Sequence, residues 1–137
     1  MKLNEVTSTY RKLAGFAGKK FPVKISYAIS KNLKKLEKEM ELIEKGRMEI
    51  LEQFAEKTED GQLKIEDDRY ILGDKEQDFQ KEYMEYLETE TDVDLYKVPI
   101  AELDKMEDVR YSVLSPDEIT NLMDILEDEE EVPEETA

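Results

Sequence analysis

Thirty-six of the 137 residues are Asp or Glu, and a carboxylate can ligate a metal, relay a proton or imitate a phosphate. The tightest pairs are Asp67-Asp68 and Asp92 with Asp94. Neither carries the loop glycine and distal bidentate glutamate of a calcium site, so solvated carboxylates are the expected reading and no metal ligand set is assigned. Paired carboxylates in glycoside or phosphoester chemistry need a concave pocket, which a scaffold of helices and a small sheet does not obviously supply. The chain has no P-loop, no dinucleotide glycine fingerprint and no nucleophile motif. It also has no histidine and no cysteine, so the commonest general base and all thiolate chemistry are missing. No catalytic residue and no cofactor are assigned, and the chain is not expected to be an enzyme.

Recognition by charge is left. Glu82, Glu85, Glu88 and Glu90 recur along one predicted helix, and closely spaced carboxylates can occupy a basic cleft as phosphates would. These four are the candidate partner contacts. The cluster Lys31, Lys34, Lys35 and Lys38 reads as the solvent face of a helix, because lysine without arginine or interleaved aromatics is a poor nucleic-acid signal. The first 38 residues hold ten Lys/Arg against Glu5 and Glu37, a net of +8, so the remainder carries −24 of the chain's −16 total. That balance disfavours direct contact with nucleic acid or an anionic membrane. The expected partner is another protein.

These residues must be positioned by helices. Over residues 24–57 the apolar side chains Ile29, Leu33, Leu36, Met40, Ile43, Ile50 and Phe54 recur at steps of four and three, a narrow face that seeks a partner helix. Only Arg47 interrupts the seam; it either reaches solvent or pairs with an acid and sets the register. Leu3, Val6, Tyr10, Leu13 and Ala17 predict an amphipathic first helix ending near Gly15 or Gly18. Phe21-Pro22 then breaks it, so the two helices should fold back on each other. A β-hairpin is expected over 62–73, with residues 66–69 as its connection, and a strand over 91–98 that extends it into a small sheet.

Asp74 and Gln77 suggest a capping box for a helix over 75–89, with Phe79, Tyr83, Met84, Tyr86 and Leu87 as its apolar face. Ser115, Pro116 and Glu118 form the strongest helix-start signal, opening a helix through Ile119, Leu122, Ile125 and Leu126. The fold class is therefore mainly α, a long helical hairpin or bundle with a small antiparallel β element, as one elongated domain over 1–127. An acidic tail over 128–137 is expected to be disordered. The second helix covers less than half of the long one, so the terminal helices or a second copy must cover the rest, which leaves a homo-oligomer open. No run of about eighteen apolar residues occurs, and the N-terminus lacks a signal-peptide core, so a soluble intracellular protein is expected.

The run FPVKISYAISKNLKKLE (residues 21–37) resembles a family of small phage and prophage proteins of unknown function from Gram-positive bacteria. Three later stretches agree in kind: EKTEDG within residues 50–61, ETDVDLYKVP at 90–99, and LSPDE from Leu114. The resemblance covers most of the chain and implies a phage origin without an assigned mechanism. The expectation is a non-enzymatic phage-encoded protein-binding factor in the cytoplasm of the bacterial host, inhibiting a host protein through its acidic surface. The alternative is a virion structural or assembly protein, chaperone-like, in which case it resides in the virion.

Overall fold

The structure, a computed structural model, describes residues 1–128; the tail expected to be disordered lies outside them from residue 129 onward. The apolar stripe forms one unbroken helix, α2 (Val23–Phe54), of 32 residues and so about 48 Å long. Before it comes α1 (Leu3–Ala14), which buries Leu3, Val6, Thr9 and Leu13. The turn between them uses Gly18 at φ +87° and Pro22 in extended conformation immediately before α2. Phe16 and Phe21 meet edge to face, ring centres 5.5 Å apart, which brings α1 back along α2.

Beyond α2, strands β1 (Ile65–Glu66) and β2 (Arg69–Tyr70) pair antiparallel, Ile65 opposite Tyr70 and Glu66 opposite Arg69. The expected hairpin is thus present but shorter, and its connection is different. Glu66 and Arg69 belong to the ladder, and Asp67-Asp68 alone make the turn. Their φ values of 51° and 63° are those of a two-residue primed turn, whose twist matches the strands, and aspartate tolerates that left-handed region better than most residues. Helix α3 (Glu76–Leu87) is entered through a 3₁₀ turn, Gly73–Lys75, with no side-chain cap, so the capping box read at Asp74 does not form. Phe79 of α3 is buried against Ile50 and Leu51 of α2.

The strand expected over 91–98 is largely absent, and it does not join the hairpin. Only β3 (Val98–Pro99) is a strand, and it pairs in parallel with β4 (Leu126–Glu127). The physical reason is that residues 91–96 lie along α2 and bond to its side chains. Asn32, fully buried, donates from Nδ2 to the Tyr96 carbonyl at 2.8 Å and accepts the Tyr96 N–H on Oδ1 at 2.7 Å. Its amide therefore takes the place of a neighbouring strand's peptide group. Lys35 Nζ donates to the Asp94 carbonyl at 2.9 Å, and the Thr91 hydroxyl donates to Glu39 Oε1 at 2.8 Å. Alternating Val93 and Leu95 pack on the core, which is why the sequence imitates a strand.

After β3, a 3₁₀ segment Ile100–Glu107 and a loop lead to α4 (Pro116–Leu122). Its capping box forms as read: Ser115 Oγ accepts the Glu118 N–H at 3.2 Å, and Glu118 Oε1 accepts the Ser115 N–H at 2.9 Å. The last helix is shorter than expected, because Met123–Ile125 tightens to 3₁₀ and Leu126 enters β4. Leu122, Ile125 and Leu126 join Leu3, Val6, Leu13, Ile25, Ile29, Leu36 and Val98 in the main core. The stripe is covered from within the chain, by α1 and the C-terminal elements at one end and α3 at the other. Among the described residues, no helix is long and apolar enough to cross a membrane.

Gly46 lies inside α2, where glycine costs about 1 kcal/mol relative to alanine. A Cβ there would overlap the Tyr86 ring and hydroxyl, so glycine permits that ring to lie flush on α2 and donate its hydroxyl to the Leu42 carbonyl at 3.2 Å. Gly46→Ala should lower stability by about 1–3 kcal/mol despite its better helix propensity. In a Tyr86→Ala background the same change should stabilise, by about 1 kcal/mol, and urea denaturation of the four proteins checks the reversal of sign. Asn32→Leu should cost about 2–4 kcal/mol, because the Tyr96 peptide loses both partners in a buried site. Faster hydrogen exchange at the Tyr96 amide would accompany it, and an unchanged midpoint would refute the bracing role.

Candidate functional site

The four acids assigned to partner contact do not act as one set. Glu82 and Glu85 stand exposed on α3, and among the described residues neither is ion-paired. Glu88 and Glu90 instead hold the start of the chain. Glu88 accepts from Lys2 Nζ at 2.7 Å and from Asn4 Nδ2 at 3.1 Å. The Met1 ammonium group donates to Glu90 Oε1 at 3.3 Å and to the Thr91 carbonyl at 3.2 Å. Backbone bonds join the same two stretches, from the Leu3 N–H to the Thr89 carbonyl at 2.9 Å and from the Thr91 N–H to the Met1 carbonyl at 2.8 Å.

Lys2 holds the Glu88 carboxyl below the usual carboxylate range, first by its hydrogen bond and then by its charge. In return Glu88 raises the Lys2 ammonium above its ordinary value. Glu118 is likewise held low, chiefly by the Ser115 N–H and then by Lys19, whose Nζ lies 3.0 Å away.

Arg47 does not bridge two elements. It pairs with Glu44, three residues earlier on α2, at 2.9 Å, and its side chain is 34% exposed. This is a surface ion pair beside the seam, and such pairs stabilise by less than about 1 kcal/mol. Among the carboxylate pairs, Asp67-Asp68 is the hairpin turn, while Asp92 and Asp94 border a shallow groove whose other wall carries Lys31, Lys34, Lys35 and Lys38. Among the described residues no three acids gather closely enough to hold a metal ion.

The lysine face has aromatic neighbours that its linear sequence hides. Lys31 Nζ lies 4.6 Å from the centre of the Tyr96 ring and 5.6 Å from that of Tyr27, and the two rings meet edge to face at 5.5 Å. Lys31 is braced by these rings and Lys35 by the Asp94 carbonyl, whereas Lys34 and Lys38 are exposed. Glu37, Glu39, Glu41, Asp92 and Asp94 share the groove, so a long polyanion such as nucleic acid, whose charge would run on over those acids, does not suit it.

Three positions carry weight that the sequence reading missed. Asn32 and Gly46 interrupt α2, and each answers to one partner, Tyr96 and Tyr86. A polar residue at helical spacing among Ile25, Ile29 and Leu36 was the signal for the first, and a glycine deep inside a helical pattern was the signal for the second. Glu102 is the third: a buried carboxylate with Lys105 at 3.0 Å and Lys24 at 3.9 Å. Its Oε1 makes no hydrogen bond, so the Lys105 contact is one of charge and not of direction. Nothing in the local sequence marked it for burial. No protein-family model matches this chain, and no curated protein or solved structure is similar to it.

Glu88 gives a test with a defined sign. Its depressed carboxyl contributes stability above the ordinary carboxylate range, and that contribution is lost as pH falls through the depressed value. The raised Lys2 contributes up to the ordinary lysine range and loses its part as pH rises through its own elevated value. Glu88→Gln should therefore be less stable than the parent at pH 7, with the difference vanishing once the pH lies below the depressed value of Glu88. Urea midpoints at pH 7 and along an acid series measure this, and a difference that stays constant into acid would mean the ion pair is not its cause.

Proposed function

We propose that this chain is a non-enzymatic, phage-encoded protein-binding factor that acts in the cytoplasm of a bacterial host. It presents part of its acidic half to a basic surface on a host protein and inhibits that protein by occupying it. The observation that carries this reading is the state of Glu82 and Glu85, exposed on α3 and without an ion pair among the described residues. Because Phe79, Tyr83 and Tyr86 pack that helix on α2, the backbone positions that carry these carboxylates are fixed relative to one another before any partner arrives. Preorganised charge of this kind raises association rate and selectivity, whether or not the displaced ligand is a nucleic acid. Glu88 and Glu90 are set aside as contacts, since their carboxylates hold Lys2 and Met1.

The partner is to be captured from infected host cells and then studied with purified components. Glu82→Gln with Glu85→Gln should slow association by about three- to tenfold and flatten its salt dependence, without changing the unfolding midpoint. Neutralising Glu129 and Glu130, which lie outside the described residues, removes equal charge and should have the smaller effect. Equal effects from both pairs would reduce the acids to general steering. Capture of a virion component in place of a host enzyme would favour the assembly role. Binding insensitive to both pairs and to salt would end the acidic-surface reading.

A further inference from the structure

Two stripes of opposite charge stand on α2 and α3 with the same spacing. Lys31, Lys34 and Lys38 are three and four residues apart; Glu85, Glu82 and Asp78, read backwards along the chain, are also three and four apart. Each stripe runs about 10.5 Å along its helix and stays within one narrow face. All of these residues are exposed except Lys31, which is half-buried. Among the described residues none of the six is ion-paired. Lys34 with Lys38, and Asp78 with Glu82, are like charges one helical turn apart and repel each other.

The fold does not bring the two stripes together within one chain. Helix α3 packs on the later part of α2, through Phe79 on Ile50 and Leu51 and through Tyr86 on Gly46. On α2 the lysines are flanked by Tyr27, 54% exposed, and Leu42, 59% exposed, which continue the same face at four-residue steps.

We propose that a second copy of this chain lays its α3 antiparallel on the outer face of α2, setting Lys31 against Glu85, Lys34 against Glu82 and Lys38 against Asp78. Charge complementarity at matched spacing selects this occupant, and Tyr27 and Leu42 supply apolar area at its ends. The two faces differ, so the contact is heterologous: in a pair one copy keeps its acidic stripe free and the other its lysine stripe, and association extends to rings or short chains. The long-range repulsion between chains of net charge −16 is screened beyond about 8 Å at physiological salt, while charges in contact are screened less. Self-association engages Glu82 and Glu85, so it competes with the host partner. Only that competition rests on the function proposed above; the association itself does not.

Sedimentation velocity on the purified chain tests it. At about 0.15 M salt the average mass should rise with concentration up to about 1 mM, and at about 1 M salt the rise should disappear. Lys34→Glu with Lys38→Glu, and separately Glu82→Lys with Glu85→Lys, should each abolish association, since each leaves two faces of one sign. Mixing the two variants should restore it. If circular dichroism shows either reversal to be unfolded, the neutral pairs Lys34→Gln with Lys38→Gln and Glu82→Gln with Glu85→Gln replace them, and each should weaken association by at least about threefold. A parent that stays monomeric throughout overturns the proposal, as does association that survives reversal or neutralisation of either stripe, or a mixture that fails to recover.

Discussion

A helix of 32 residues cannot leave an apolar stripe of its own length in water, and among the described residues no other element is long enough to cover it alone. Burial at about 25 cal/mol per Å² of apolar surface therefore drives several short pieces onto one helix. Helix α1 and the elements from Val98 to Leu126 take one part, and α3 takes another. The connections follow from that requirement. Gly18 and Pro22 turn the chain back, the hairpin reverses it again, and residues 91–96 return along α2 as an extended strap.

The strap shows how a chain with little sheet satisfies its backbone. An extended segment needs partners for its peptide groups, and a helix surface offers none from its own main chain. Here the partners are side chains of α2: Asn32 for both groups of Tyr96, and Lys35 for the Asp94 carbonyl. A helix interior usually disfavours asparagine, which competes with the backbone for hydrogen bonds. At position 32 its amide is directed away from the helix and into the core, where two well-aligned bonds compensate its burial.

Charge follows a similar division of labour. Many acids serve the fold: Glu88 and Glu90 hold the N-terminus, Glu118 caps α4 and meets Lys19, and Glu102 lies buried between two lysines. What the fold leaves exposed on α3 is a smaller and more ordered set. Counting carboxylates therefore overstates the surface open to a partner, and their placement on packed helices says more about recognition than the net charge does.

Periodicity was enough to read the long helix, the first helix, the Ser115 cap and the presence of a hairpin, because those depend on residues near one another in sequence. The role of Arg47 was open between two readings, and its neighbour Glu44 sits on the same helix. The strand expected over 91–98 failed for a reason no local pattern contains. Alternation of Val93 and Leu95 reports burial on one side, whereas the hydrogen-bond partner on the other side is Asn32, some sixty residues away. The four glutamates looked equivalent because their spacing is regular, yet two lie beside the N-terminus in space and two do not. Amino-acid order by itself determined which segments are helical and which faces are apolar. Only the tertiary structure decided which polar groups are consumed in holding those faces together, since hydrogen bonds and ion pairs act over about 3 Å and depend on which distant segments that packing brings into reach.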